Sequence, residues 1–400
     1  MTTSTEKMRA WRGPALLSYG YRPFFLLAAV WAVLVMVVWI LALSGLIGWT
    51  AAFDPVSWHA HSLLFGYSTA VIAGFLMTAV PNWTGRFPIV GWPLAGLVAL
   101  WLIGRLVVTL GFGLPAMAIE AIDLAFPVVF AVAIGREIVA GRNWRNLKVL
   151  ALLTLLIVAD LLFHIEAAQG GYAAGGLGAR LALATLILLI TLIGGRIVPS
   201  FTRNWLAQRR SAQLPAQADR GDDVCMTITI VALLAWTVLP DHAITGALCL
   251  LAGIANVWRL LRWRGFLTMS EPLIWVLHAG FLFVALGFFS VAADVLGVVA
   301  LGPAAKHAWM AGAVGLMTLA VMSRASLGHG GYPLSAGKGA AFLYLSLIVG
   351  VIARVGAGMF PQASWLLHVA ACGWILAFGG FVVLFWPVLV HPKLQARRAN

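Results

Sequence analysis

Long runs of apolar residues dominate the chain and recur at short intervals. One runs from about Phe24 to Gly48. Others centre on residues 58–80, 91–113, 119–140, 147–168, 177–199, 224–240, 243–260, 272–297, 305–325, 339–359 and 364–388. A helix of about 20 apolar residues, rising about 1.5 Å per residue, crosses about 30 Å of hydrocarbon. The pattern therefore predicts an all-α, polytopic membrane helical bundle of about twelve transmembrane helices. The first run is too long for the apolar region of a cleaved signal peptide and reads as an uncleaved first helix.

The polar positions between the runs are sorted by charge. Lys7, Arg9 and Arg12 precede the first run. Arg86, then Arg136, Arg142, Arg145 and Lys148, then Arg203, Arg209, Arg210 and Arg220 fall in alternate loops. Arg259, Arg262, Arg264, Lys338, Lys393, Arg397 and Arg398 continue the same set. The intervening loops hold few basic residues beyond Arg180 and Lys306. The positive-inside rule places both termini in the cytoplasm. The polar stretch near 206–223 reads as a cytoplasmic linker. It joins two six-helix halves, about 20–205 and 224–390, of a single integral-membrane domain.

Composition agrees and narrows the classes. Hydrophobic residues make up 62% of the 400 and charged residues 10%, against about 45–50% and about 25% in soluble domains. Mean hydropathy is +0.97. These values exclude a soluble enzyme, a disordered chain and a secreted disulfide scaffold. The formal charge of +13 belongs to the loops of one membrane face, so the partner it implies is the lipid bilayer and not nucleic acid. Cys225, Cys249 and Cys372 are scattered, with neither C-x-x-C nor the C-x-x-C-H of covalent haem attachment. No G-x-x-x-x-G-K-[ST] phosphate loop occurs.

Ionisable residues inside the runs are the candidate chemistry, because each is costly in a bilayer unless partnered. Asp54-Pro55-Val56-Ser57-Trp58-His59-Ala60-His61 is the densest stretch. Asp54 suits a helix N-cap and Pro55 the first helical position. If the helix starts there, His59 and His61 lie about 200° apart and serve two faces; if it unwinds, they form a chelate. With His307 on the same membrane side, they make a candidate three-imidazole copper site with a haem nearby. Arg105 and Arg354 need anions, either carboxylates from Asp160, Asp294, Glu120 and Asp123 or haem propionates. Asp160 and His164 are spaced i, i+4 and, with Glu166, form either a proton path from the outer surface or a hydrogen-bonded buried pair.

Several segments resemble the NnrS family of bacterial membrane proteins. They are Tyr21-Arg22-Pro23-Phe24-Phe25-Leu26, Trp58-His59-Ala60-His61, Gly74 to Gly85, Gly195-Arg196 to Trp205, Leu277-His278-Ala279-Gly280, and His307 with Met317-Thr318 through His329. The resemblance spans residues 20 to about 355. It implies a protein with non-covalent b-type haem and copper, linked to nitric oxide metabolism, nitrosative stress and denitrification. It carries metal or haem binding to His59, His61, His278, His307 and His329, with Ser62 where relatives have an acidic side chain. A haem beside copper implies reductive coupling of two NO molecules, an oxidoreductase activity drawing electrons from quinol or another redox partner. His278 and His329 lie toward the cytoplasm and the other three outside, so His329 is assigned to a second site or a structural role. Two further classes compete: a non-catalytic binder or sensor of NO or metal-nitrosyls, and a twelve-span secondary transporter, which would hold no metal.

Overall fold

The computed structural model describes residues 11–49, 51–85 and 88–394. Lys7, Arg9, Arg86, Arg397 and Arg398, counted above in the charge asymmetry, lie outside the described residues. Among those described, twelve helices are long and apolar enough to cross a membrane, and no strand occurs. They are α1 (Tyr21–Leu43), α2 (Pro55–Thr84), α3 (Trp92–Leu110), α4 (Ala116–Ala140), α5 (Trp144–Ala168), α6 (Leu177–Gln208), α7 (Arg220–Val238), α8 (Ala243–Leu261), α9 (Pro272–Val295), α10 (Gly302–Gly330), α11 (Lys338–Met359) and α12 (Trp365–Val390). Each sits over a predicted run, so the chain is a multi-pass membrane bundle. α6 continues past its apolar run to Gln208, giving 32 residues and about 48 Å at about 1.5 Å per residue.

The helices group into two compact units. One comprises the chain up to Ala182 with Arg324–Pro333 and the residues from Phe381 on; the other comprises Leu183–Ser323 and Leu334–Gly380. The first division falls inside α6 rather than at the polar stretch near 206–223. That stretch is tied down within the second unit: the Ala216 amide donates to the Arg262 carbonyl at 3.1 Å, and the Arg203 guanidinium donates to the Pro215 carbonyl. Asp219 caps α7 in a capping box with Asp222. The hydrogen bond from Arg262 holds the Asp219 carboxyl below its ordinary range, and the same contact raises Arg262.

In the first unit α2 is the most buried of the twelve spans, with 83% of its apolar window enclosed. Its start obeys the local chemistry. The Asp54 carboxylate accepts from the Val56 and Ser57 amides at 3.0 Å each, and Pro55 takes the first helical position, where its missing N–H is not needed. Such a cap contributes about 1 kcal/mol. The helix is α-helical from Pro55 to His61 and π-helical from Ser62 to Tyr67, then α-helical from Ser68 to Thr84. A π turn widens the helix and rotates its later turns relative to its earlier ones. Two indoles from neighbouring spans donate to carbonyls of this turn, Trp31 to Ser62 and Trp101 to Gly66, each at 3.0 Å. The helix ends at Gly85 with φ 66°, a left-handed cap that glycine adopts without strain. A longer π segment, Ala308–Leu316, lies in α10 of the second unit.

The N-terminal end of α1 closes on the chain's last described turn within the same unit. Arg22, 1% exposed, donates to the Leu389 carbonyl at 2.9 Å and the His391 carbonyl at 2.5 Å. It thereby satisfies acceptors that the end of α12 leaves without helical partners.

Candidate metal centre

Four buried side chains from three spans converge inside the first unit. His61 comes from α2 at the α-to-π junction, Asp123 from α4, and Asp160 and His164 from α5. One donor atom from each lies within 4.8 Å of every other. His61 Nε2 is 2.9 Å from Asp160 Oδ1 and 3.1 Å from Asp123 Oδ2. His164 Nε2 is 3.2 Å from Asp123 Oδ2 and 3.9 Å from Asp160 Oδ1. Relative exposure is 0% for His61 and Asp123, 2% for Asp160 and 4% for His164.

A fifth group completes the charge. Arg105 of α3 pairs with the other oxygen of Asp123 through Nη2. Two carboxylates against one guanidinium leave the set at −1 with neutral imidazoles. Either a shared proton or a cation at the centre offsets that deficit. The approach of Arg105 depends on small residues. A Cβ on Gly66 would stand 2.7 Å from Arg105 Nη1 and 2.7 Å from Trp31 Nε1, and one on Gly104 would stand 2.8 Å from Asp123 Oδ1.

The donor separations serve two chemistries. Three of them, 2.9–3.2 Å, are hydrogen-bond lengths and also edge lengths of a coordination polyhedron; the fourth, 3.9 Å, is longer than either. With metal–nitrogen and metal–oxygen bonds of about 2.0–2.2 Å, adjacent ligands stand about 2.9–3.5 Å apart. Two imidazoles and two carboxylates are a nitrogen–oxygen set of the kind that suits copper, zinc or iron. The three cysteines take no part: Cys225 and Cys249 are buried in the second unit and Cys372 is exposed.

The residues expected from the sequence are thus divided. His61, Asp160, His164 and Arg105 are brought together. His59 is not in the group: its ring stacks on Trp39 at 4.7 Å and 27°. The two histidines of the His-x-His stretch therefore serve different faces, the outcome expected of an unbroken helix. His307 Nδ1 faces the Pro303 carbonyl at 2.8 Å. His278 Nε2 shares a hydrogen bond with the Thr202 hydroxyl at 2.8 Å, and its Nδ1 lies so close to Gly265 that a Cβ there would clash with it. The ring of His329 packs against Tyr21 at 5.6 Å. Arg354 is half-buried in α11, and no carboxylate among the described residues pairs with it. Glu166, grouped in sequence with Asp160 and His164, instead accepts from the Leu177 and Gly178 amides at 2.7 and 3.2 Å and so caps α6. Asp294 accepts from the Leu301 and Gly302 amides.

Asp123 is the functional residue that sequence reasoning undervalued. It entered only as one of four possible anions for Arg105, yet it bridges that guanidinium to both imidazoles. The available signal was its place in an apolar run, where an unpaired carboxylate is too costly to persist. Ser62, where the resemblance led us to expect an acid, has its hydroxyl buried without a hydrogen-bond partner; the acids that meet His61 come from α4 and α5.

No curated protein matches the chain. Family membership fits a membrane protein connected with nitric oxide, and the buried His/Asp cluster is of a kind that can bind a metal. From residue 15 to residue 393 the sequence matches the family model described as NnrS protein, nearly its whole length, and the chain belongs to that family.

Proposed function

We propose that this protein handles nitric oxide in the bacterial cytoplasmic membrane at a metal ion held by His61, Asp123, Asp160 and His164. The observation that carries the reading is the convergence of four fully or nearly fully buried donors at ligand spacing in the bilayer-spanning part of one unit. Copper is the ion most in keeping with both the ligand set and the family. Bound there, it would supply a site at which NO binds and changes redox state. The activity in this reading is redox chemistry on NO, with electrons from a quinol or a protein donor.

The chain's own groups have distinct tasks. Arg105 neutralises one carboxylate and fixes the Asp123 rotamer, so that Oδ2 faces both imidazoles. Asp160, one turn before His164 on α5, orients His61 from the opposite side. With no metal bound, Asp160 and His164 are adjoining proton-binding groups, 3.9 Å apart; as ligands their facing atoms would hold the metal instead. The charge asymmetry of the loops supports termini in the cytoplasm.

The fit of haem is mixed. His278 has Nε2 on the Thr202 hydroxyl and a buried Nδ1 without a hydrogen-bond partner, and His307 has Nδ1 on the Pro303 carbonyl, the support usual for an imidazole that ligates through Nε2. Ligation of iron by His278 Nε2 requires the Thr202 pair to part, so no step is derived through haem.

The test is metal and optical analysis of detergent-purified protein from copper- and haem-replete cells. Copper should be retained by wild type, His59→Ala and His307→Ala, and lost in His61→Ala and Asp160→Asn. Reduced wild type should consume NO above background. Copper retained in His61→Ala, or lost only in His307→Ala, overturns the assignment. Stoichiometric NO binding without turnover replaces the redox activity by a binding role.

A further inference from the structure

A cavity of about 280 Å³ opens at the end of the first unit that carries the α1–α2 and α3–α4 loops, and it reaches the centre. Its floor includes Phe53, Gly111, Ile119 and His164, all buried, and its rim includes Ala116 and Ala168, both exposed. His164 is the one ionisable side chain in the lining. Of the four donors it alone faces this space; the other three lie behind it.

Phe53 stands as the partition. Its ring lies 5.0 Å from that of His61, 5.1 Å from that of His164 and 5.4 Å from that of Phe163. It belongs to a loop, yet its backbone is pinned: its carbonyl accepts from Trp49 Nε1 at 2.6 Å, and the preceding Ala52 amide donates to the Val108 carbonyl at 3.1 Å. With the backbone held at these two points, the partition opens only by rotation of the ring about its own side-chain bonds, out of its packing against the three neighbouring rings.

We propose that this cavity is an access funnel through which a small uncharged molecule reaches the centre, with Phe53 as its gate. Volume and charge set the ligand class. The space is that of several waters at about 30 Å³ each, enough for a few heavy atoms. No arginine, lysine, aspartate or glutamate lines it, so an ion entering would leave its hydration without compensation. The carboxylates behind His164 outnumber the nearby guanidinium, which further disfavours anions. What happens at the floor rests on the metal-centre reading; the shape and selectivity of the funnel do not.

The test therefore uses full-length protein stripped of metal. In a Cys372→Ser background, which removes the exposed native thiol, Ile119→Cys reports from the floor and Ala168→Cys from the rim. Each is treated with uncharged methyl methanethiosulfonate and with its anionic sulfonatoethyl analogue, and labelling is read by intact-protein mass spectrometry. The floor thiol should prefer the uncharged reagent by about tenfold more than the rim thiol does, a difference in activation barrier of about 1.4 kcal/mol. Adding Ala116→Trp should slow floor labelling by a similar factor, and adding Phe53→Leu should leave it unchanged or faster. An inert floor thiol, equal reaction with both reagents, or indifference to Ala116→Trp overturns the funnel. In metal-loaded protein, Phe53→Leu should speed association of NO with the centre without changing metal content; an unchanged rate overturns the gate. Failure of the metal-centre reading would appear instead as absent metal with the labelling pattern intact.

Discussion

Replacing Arg105 by leucine tests the electrostatic account of the centre most directly. The guanidinium is 4% exposed and its partner Asp123 0%, so solvent does little to screen either. Truncating one member of such a pair leaves the other charge buried and uncompensated, at a cost of about 3–5 kcal/mol. Against a total stability of about 5–15 kcal/mol for a folded domain, that is a large share, and the midpoint of thermal unfolding in detergent should fall by on the order of 10 °C. The reasoning attributes the loss to the stranded carboxylate, not to missing packing. In an Asp123→Asn background, Arg105→Leu should therefore cost much less, giving a coupling of about 2 kcal/mol or more in a double-mutant cycle. A divalent ion offers the same carboxylate another cation, so metal at about 100 times its dissociation constant should restore about 2.7 kcal/mol by mass action. Chemical denaturation of the four proteins, with and without copper, reads every term. Equal cost in both backgrounds refutes the argument, and so does a metal that stabilises wild type but not the Arg105→Leu variant.

Two further outcomes are expected from other contacts. Gly66→Ala places a Cβ 2.7 Å from both Arg105 Nη1 and Trp31 Nε1; because Arg105 can yield only by loosening its hold on Asp123, the variant should lose about 1–3 kcal/mol and bind copper more weakly, whereas undiminished copper affinity in a folded variant would count against the role given to this glycine. At the other end of the chemistry, the Asp219 carboxyl is held below its ordinary range by Arg262, so its contribution is fully present above the ordinary carboxyl pKa of about 4 and is lost as pH falls through the lower folded-state value. The hydrogen-exchange protection of residues 209–219, with the intrinsic pH dependence of amide exchange divided out, should fall over that acid window in wild type, and Asp219→Asn should make it lower and nearly independent of pH over the same window.

Much of this fold was legible because a membrane makes few demands and enforces them strictly. Twelve apolar runs became twelve helices, and Asp54-Pro55 marked the start of α2 because a carboxylate acceptor and a residue without an N–H both suit an N-terminus. The i, i+4 spacing of Asp160 and His164 likewise put them on one face of α5. The π turn after His61 was not legible, since nothing in Ser62–Tyr67 distinguishes it by composition from an ordinary apolar helix; it is supported from outside, by indoles on α1 and α3 that meet its carbonyls. His61 and Asp160 are 99 residues apart, a pairing that periodicity within one helix cannot reveal.

Sequence therefore identifies which side chains need a partner, and packing decides which partner each receives. Arg105, Asp123, Asp160 and His164 were all visible as polar residues in apolar runs, but they could have been satisfied in several pairings. Asp294 and Glu166 were candidates for the same cluster and went instead to backbone amides at helix starts. They differ from Asp123 in position along their helices: a carboxylate near a span's end finds free amides within reach, whereas one enclosed among four spans has only other side chains. The enclosed ionisable groups are thus left to one another, and the −1 that remains with neutral imidazoles is met either by a proton shared among them or by a cation.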